Sequence, residues 1–427
     1  MSSDDRTWEN DDVTRRRENS ERLEAAAKLV VPGGVYGHGA LTTRAHPRFF
    51  ESGTGAHVTD VDGNELIDFM CGYGPNLLGM GHPRVEAAAE RQRRKGDCFS
   101  GPTARWVELA EALVERIGHA DWAMFTKNGT DATTLCTTIA RAATGRRKIL
   151  VARGAYHGAA PWCTPSDAGV PAEDRAHLLH YRYNDLESVA EAVARAGDDL
   201  AGIMVSPFRH DTFVDQELPT TEFARGLRRA CDRAGAVLMI DEVRAGLRLA
   251  RGGSWERLSV DPDLSAWGKA LGNGYAISAV VGREDLRDAA RRVYATGSFW
   301  YGGVAMAAAC ETLAVADEIG LPEMLTATGQ QFRAGLEELA TANGFSLRQT
   351  GPPQLPMVLF EGDTDFSLGK FFTGDAIDRG VYMHPYHNMF LSAAHTPAIV
   401  AEALERLSGS FESLRRYVDA AGPEGSR

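Results

Sequence analysis

The sequence has no long apolar run, no excess of positive charge and no closely spaced pair of cysteines. Its apolar stretches fall well short of the ~18 residues that cross a bilayer, so we expect no membrane contact. The 58 acidic and 46 basic side chains give a net charge of −12, which argues against nucleic-acid binding. Residues 1–17 are charged throughout and lack the apolar core of a signal peptide. These absences predict a cytoplasmic protein.

Two kinds of motif are also missing. None of the six cysteines has CxxC spacing, so we predict reduced thiols and no metal or redox site. No GxGxxG pattern follows the first predicted strand of the central region, which disfavours a nicotinamide-dependent dehydrogenase.

What the sequence does have is a regular alternation of short apolar runs and helical stretches from about residue 83 onward. This rhythm is typical of βα units and predicts an α/β fold with a mostly parallel sheet. A chain of 427 residues exceeds one ordinary core. We predict an N-terminal segment at 1–80 with a helix and a small sheet, a large domain at 81–318, and a C-terminal small domain at 319–427. The strands predicted in the large domain are 122–125, 148–152, 201–207, 236–243 and 276–281.

Two of these apolar runs lead into residues with reactive or charged side chains. Asp241 follows five apolar residues, as at the carboxyl end of an interior parallel strand, and Lys269 follows a second short run. Active sites of parallel α/β sheets form at the carboxyl ends of the strands. A lysine amine that forms a Schiff base, beside a carboxylate that keeps a pyridine nitrogen protonated, is the minimum that pyridoxal phosphate (PLP) chemistry needs.

Two other motifs fall on the same predicted edge of the sheet. Asn128, Gly129 and Thr130 open a predicted helix, where backbone N–H groups and a hydroxyl suit a phosphate. The same residues also suit an ordinary helix N-cap. Tyr156 and His157 follow the strand at 148–152, where an aromatic ring could stack on a cofactor or simply pack against the rim.

The order and spacing of these motifs resemble the class III, fold-type I PLP-dependent aminotransferases, and within them the glutamate-1-semialdehyde aminomutase-like branch. The resemblance covers about residues 24 to 410. The motifs that carry it are Pro32-Gly33-Gly34-Val35, Asp60-Val61-Asp62-Gly63, Gly74-Pro75, Asn128-Gly129-Thr130-Asp131-Ala132, Tyr156-His157-Gly158, Asp241-Glu242-Val243, Gly246, Arg248, Pro262-Asp263-Leu264 and Gly268-Lys269. The resemblance implies a seven-stranded, mostly parallel sheet and a small α+β domain built from the N- and C-terminal segments.

The resemblance also implies roles for the residues of these motifs. Lys269 would hold PLP as a Schiff base and move the proton, and Asp241 would pair with the pyridine nitrogen. Val243 and Tyr156 would cover the two faces of the ring. Gly129 and Thr130 would hold the phosphate. The predicted cofactor site is completed by the neighbouring Asn128 and His157.

A hydroxyl from a partner subunit completes the phosphate site in this family. The best-matching residue here is Ser298, with Thr296 as the alternative, although the family's Asn-Pro pair is replaced by Gly302-Gly303. A shared site implies a homodimer. The reaction implied is transfer of an amino group from a small-molecule donor to a carbonyl acceptor by a ping-pong mechanism.

The sequence departs from the family at the positions that contact the substrate. The arginine that binds a substrate carboxylate in the aminomutases is replaced by Ala40, and the C-terminal segment reads His384-Pro385-Tyr386-His387-Asn388. Aromatic and imidazole side chains suit hydroxylated substrates. We therefore predict an amino-sugar, aminoglycoside-like or other non-α-amino-acid substrate, as in the biosynthesis of antibiotics and other secondary metabolites. The predicted substrate pocket consists of Tyr36, His38, Tyr73, Arg209, Trp300, Tyr386 and His387.

Alternatives remain at this point. Arg44, Arg209 or Arg244 could bind a carboxylate, which would make the substrate an ordinary amino or keto acid, including an ω- or β-amino acid. An aminomutase, an isomerase or an epimerase would need the same Lys269 and Asp241. A non-catalytic PLP-binding protein is disfavoured because both of these residues are retained.

Overall fold

The structure is a computed structural model that describes residues 16–37 and 49–421. Its helices are α1 (Glu18–Val30), α2 (Pro83–Arg93), α3 (Ala104–Arg116), α4 (Gly129–Thr144), α5 (Leu186–Ala196), α6 (Thr221–Ala234), α7 (Arg287–Arg292), α8 (Gly303–Glu318), α9 (Leu321–Ala342), α10 (Ser367–Asp378) and α11 (Pro397–Ala421). Its strands are β1 (Phe50–Thr54), β2 (His57–Asp60), β3 (Glu65–Asp68), β4 (Trp122–Thr126), β5 (Lys148–Ala152), β6 (Leu178–Tyr181), β7 (Leu200–Val205), β8 (Val237–Asp241), β9 (Leu264–Trp267), β10 (Ser278–Gly282), β11 (Leu347–Thr350), β12 (Met357–Phe360) and β13 (Val381–Tyr382).

Seven strands form the central sheet in the order β4-β10-β9-β8-β7-β5-β6. Strand β10 runs antiparallel to both of its neighbours, and the pairs from β9 to β6 are parallel. Every residue of β7 and β8 is buried, as expected of strands covered by helices on both faces. The predicted α/β fold with a mostly parallel sheet is therefore confirmed.

A second sheet joins the two ends of the chain. Its order is β1-β2-β3-β13, and β13 from the C-terminal region pairs in parallel with β3. The predicted hairpin turn at 60–63 connects β2 to β3. This pairing confirms that N- and C-terminal segments build one small α+β unit, whereas the boundaries at residues 80 and 318 stay predictions.

The central sheet gathers its polar residues at one edge. Asp241 is the last residue of β8, Lys269 follows β9 by two residues, and Tyr156 follows β5. Strand β4 is antiparallel to β10, which is itself antiparallel to β9, so β4 ends at the same edge. Helix α4 begins there, three residues after β4.

Two further features are absent from the described residues. No helix in residues 16–37 or 49–421 is long and apolar enough to cross a membrane. The same residues contain no group of three or more His, Cys, Asp or Glu side chains arranged to hold a metal ion.

Candidate active site

A cavity of about 370 Å³ lies at the carboxyl edge of the central sheet. The loops that follow β4, β5, β7, β8 and β9 surround it, together with Pro75 and the first residue of β10. The lining residues are Pro75, Lys127, Asn128, Gly129, Thr130, Thr133, Tyr156, His157, Gly158, His210, Asp241, Val243, Arg244, Lys269, Gly274, Tyr275, Ala276, Ile277 and Ser278.

One end of the cavity is the N-terminus of α4. Asn128 and Asp131 form a capping box, in which each side chain accepts a hydrogen bond from the backbone N–H of the other. The N–H groups of Gly129 and Thr130 belong to the first turn, so the helix itself offers them no acceptor. Together with the helix dipole they make this end suited to an anion.

Two glycines keep this end of the cavity open. A Cβ on Gly129 would lie 2.6 Å from Cγ1 of Val243, and a Cβ on Gly158 would lie 2.5 Å from Oγ1 of Thr130. Gly158 also has a φ of +126°, which L side chains rarely adopt. The sequence uses glycine here because the loops after β5 and β8 both approach the α4 N-terminus too closely for a side chain.

Asp241 is a buried carboxylate held by two donors. Its Oδ2 accepts a hydrogen bond from Nδ1 of His157 at 2.7 Å, and its Oδ1 accepts one from the backbone N–H of Val243 at 3.1 Å. His157 is fixed in turn, because its carbonyl accepts a 2.6 Å hydrogen bond from the Thr133 hydroxyl. This arrangement keeps a negative charge oriented at the end of β8, with only 5% of Asp241 exposed.

Lys269 occupies a strained and electropositive position. Its backbone φ is +44°, and its Nζ donates a 3.0 Å hydrogen bond to the carbonyl of Tyr73. Burial, followed by the positive charges of Arg244 and Arg248, lowers the pKa of Lys269 from 10.5 to about 7. A neutral lysine amine is a nucleophile, so this environment prepares Lys269 to form a Schiff base near neutral pH.

These features fit pyridoxal phosphate. The α4 N-terminus suits its phosphate, the buried Asp241 carboxylate suits a protonated pyridine nitrogen, and Lys269 suits its aldehyde. Val243 and Tyr156 both line the space between these points. Eight of the ten residues predicted to bind the cofactor line one cavity, namely Asn128, Gly129, Thr130, Tyr156, His157, Asp241, Val243 and Lys269.

Of the residues predicted to contact substrate, Tyr73 and His387 lie close to Lys269, but neither they nor Tyr386 line the cavity. The ring of Tyr73 stands edge-on to that of His387 at 5.3 Å, and its carbonyl holds Lys269. His387 is buried, and burial lowers its pKa well below the ordinary value. Tyr386 stacks on Phe213 at 4.3 Å.

Other predicted residues lie away from the cavity lining. Tyr36 is 77% exposed, and Arg209 pairs with Asp211 at 3.0 Å. Trp300 is half-buried in the loop before α8. His38 and the possible clamp Arg44 are outside the described residues.

Thr296 and Ser298 are exposed on the same loop as Trp300. Neither residue lines the cavity of its own chain. Their roles at a phosphate site stay predictions.

Among the lining residues, Arg244 was predicted only as one of three possible carboxylate contacts, and Lys127, His210 and Ser278 were not predicted. Arg244 directly follows the Asp241-Glu242-Val243 motif and Lys127 directly precedes Asn128, so adjacency to a motif was the available signal. Ser278 faces the cavity only because antiparallel β10 begins at the edge where parallel strands end.

Comparison with known proteins gives a consistent picture. Residues 40–414 match the family model "Aminotransferase class-III". The chain is 49% identical to the aminopentol aminotransferase of Sphingopyxis macrogoltabida, over 94% of this chain and 95% of that protein. It is 33% identical to a glutamate-1-semialdehyde 2,1-aminomutase of Methanothermobacter thermautotrophicus, over 93% of this chain and 99% of that one.

A solved structure is similar at the level of the whole fold. The FumI protein of Sphingopyxis sp. MTA144, solved in its PLP internal aldimine form, superposes with a TM-score of 0.92 at 49% identity, covering 94% of this chain and 97% of that one. Both family and fold agree with the motifs that the sequence presents. The chain therefore belongs to the class-III aminotransferases, the PLP-dependent enzymes that move an amino group from a donor to a carbonyl acceptor.

Proposed function

We propose that this aminotransferase takes the amino group from a hydroxylated amine that carries no carboxylate next to the reacting carbon. The observation that carries the proposal is the 49% identity, over nearly the whole chain, to a protein named for the amino alcohol aminopentol. The cavity supports it with groups that exchange hydrogen bonds with hydroxyls, among them Tyr156, His210 and Ser278.

The cofactor end of the cavity has a defined set of roles. Pyridoxal phosphate, when bound, forms an imine with an amine and withdraws electrons from the adjacent carbon. Gly129 and Thr130 would bind its phosphate, and Asp241 would hold its ring nitrogen protonated. His157 positions the Asp241 carboxylate through the 2.7 Å hydrogen bond.

Lys269 carries the proton transfers. Its pKa of about 7 lets the amine accept a proton and return it at neutral pH. The Tyr73 carbonyl accepts a hydrogen bond from Nζ. It would hold the Lys269 amine in the cavity whenever that amine is not bonded to the cofactor. Lys269 is thus both the covalent anchor and the acid–base group.

We further propose that the active enzyme is a homodimer that shares its two active sites. The loop 294–302 supports this, because it exposes 90% of Tyr294 and 67% of Phe299 beside Thr296 and Ser298. Contiguous exposed aromatic side chains are typical of interaction surfaces. Light scattering should give twice the chain mass, and Ser298→Ala should weaken PLP binding without changing that mass. A monomer that retains PLP would contradict this proposal.

The donor is tested by half-reactions. The PLP form is mixed with amino polyols and, separately, with α- and β-amino acids, and loss of the visible absorption band is followed. We expect amino polyols to remove the band and Lys269→Ala to show no band to remove. If only amino acids react, the proposed donor class is wrong.

The aminomutase alternative is separated by the second substrate. A transferase needs a separate carbonyl acceptor for every further turnover, whereas an isomerase does not. Multiple turnovers of one compound with no acceptor present would favour the mutase reaction.

A further inference from the structure

Arg244 is a buried cation on the wall of the catalytic cavity. Only 8% of the residue is exposed, and it lines the same cavity as Lys269. Burial lowers its pKa to about 10, so the guanidinium is still charged at neutral pH. An isolated buried charge is costly, so a cation kept at this position calls for a compensating partner.

The nearby carboxylates do not supply that partner. Asp241 and Asp211 both act electrostatically on Arg244. Asp241, however, is hydrogen-bonded to His157 at 2.7 Å, and Asp211 is paired with Arg209 at 3.0 Å. Within residues 16–37 and 49–421, Arg244 forms no ion pair.

The hydrogen bonds that Arg244 does make are neutral and use one nitrogen. Its Nη1 donates to Oδ1 of Asn388 at 2.5 Å and to the carbonyl of His210 at 3.3 Å. Among the described residues no acceptor is bonded to Nε or Nη2. A guanidinium binds a carboxylate through two parallel N–H donors, so one edge of Arg244 is available for such a pair.

Arg244 is also close to the reacting amine. After burial, its charge is the largest influence that lowers the pKa of Lys269. Arg244 and Lys269 line the same cavity, so a carboxylate paired with Arg244 would lie in the cavity where Lys269 acts. A 2-oxo acid carries such a carboxylate next to its reacting carbon.

We propose that Arg244 binds the carboxylate of a 2-oxo acid, which is the acceptor of the amino group. The inference rests on the proposed function, in which the donor has no carboxylate and both substrates use one cavity in turn. Asn388 and His210 hold the guanidinium while the amine occupies the site. Because both are neutral, a carboxylate outcompetes them when the acceptor enters.

The test uses the acceptor half-reaction alone. Protein loaded with pyridoxamine phosphate is mixed with pyruvate or with acetaldehyde, which has the same methyl group but no carboxylate. The amino group and one hydrogen pass to the acceptor carbon and the carbonyl oxygen passes to the cofactor carbon, so no other oxidant or reductant is needed. The return of the visible absorption band gives the rate at each concentration.

Arg244→Gln should weaken the apparent affinity for pyruvate about 10- to 100-fold, the value of a charge-assisted pair, and change the apparent affinity for acetaldehyde less than about threefold. The maximal rates with both acceptors should fall together, because the substitution also raises the pKa of Lys269. Arg244→Lys keeps the charge but lacks the two parallel N–H donors, so we expect it to recover the affinity for pyruvate only in part. Arg153→Gln is the matched control. It removes the same charge from an exposed side chain at the same edge of the sheet, and pyruvate kinetics should not change.

Three outcomes would overturn the inference. Pyruvate affinity could be unchanged in Arg244→Gln. Both acceptors could lose apparent affinity equally, which would place Arg244 on the cofactor rather than on the substrate. Arg153→Gln could lose as much pyruvate affinity as Arg244→Gln, which would make the effect one of general charge. The test uses no amine donor. Its results can therefore be interpreted even if the proposed donor class is wrong.

Discussion

The lowered pKa of Lys269 leads to a quantitative prediction for the PLP-free protein. Burial and two arginines bring this pKa from 10.5 to about 7. At pH 7 about half of the Lys269 amines are then neutral, against roughly one in 2,500 for an ordinary lysine with a pKa near 10.4. Only the neutral amine attacks an aldehyde, so Lys269 should react about a thousandfold faster than surface lysines at this pH.

The sign of the pH dependence follows directly. Below about pH 7 the amine carries a proton, and the rate should rise tenfold per pH unit. Above about 7 the rate should level off, because the amine is already free. The assay mixes PLP-free protein with PLP at a series of pH values and follows the visible band of the covalent complex. Pyridoxal, which has no phosphate to titrate, is the control ligand.

Two variants sharpen the prediction. Lys269→Ala should remove the fast phase. Arg244→Gln should move the inflection to higher pH, because it removes the charge that acts on Lys269 most strongly after burial. An inflection that stays near pH 10 in the unaltered protein would refute the reasoning, because it would mean that the amine is solvated.

Two further substitutions, Gly158→Ala with its control Gly169→Ala and then His157→Phe, test residues that line the cavity. Gly158→Ala should weaken PLP binding at least about tenfold, since the new Cβ would lie 2.5 Å from the Thr130 hydroxyl. Gly169→Ala, at a φ of +74° in open space, should cost only backbone strain of about 1 kcal/mol, and equal effects in PLP titrations would contradict the steric argument. His157→Phe should lower the free energy of unfolding by about 1–3 kcal/mol, because Asp241 loses its 2.7 Å donor. Urea unfolding of the PLP-free protein checks this, and an unchanged midpoint would show that the hydrogen bond is not needed.

The central sheet could be predicted because its interior strands are nearly continuous apolar runs. The run ending at Asp241 reads as a strand with both faces buried, and β8 is indeed buried throughout. The carboxyl-edge rule then brings Asp241, Lys269 and Tyr156 together without any knowledge of loop structure. The same rule places the N-terminus of α4 beside them.

Elements with weak local signals were missed. Helix α10 contains two glycines and two β-branched residues, yet Phe372, Ala376 and Ile377 bury its inner face. Helix α2 was not predicted although Val85 and Ala89 are fully buried against the core. Tertiary packing, which a local pattern does not contain, decides both helices.

The substrate side of the cavity was harder to predict for a related reason. Its residues come from loops, and the direction of a loop side chain depends on contacts made far along the chain. Arg244 points into the cavity because Asn388, 144 positions away, accepts its hydrogen bond. Tyr36 was also predicted in the substrate pocket, because its ring and hydroxyl suit a hydroxylated substrate, but its side chain is 77% exposed.

The most direct test of the central claim is the absorption spectrum of the purified protein, recorded before and after addition of an amino polyol. We expect a visible band from PLP bound covalently to Lys269. The donor should remove this band, and pyruvate should restore it. Absence of the band after addition of PLP would contradict the assignment of Lys269 and the PLP-dependent aminotransferase reaction with it.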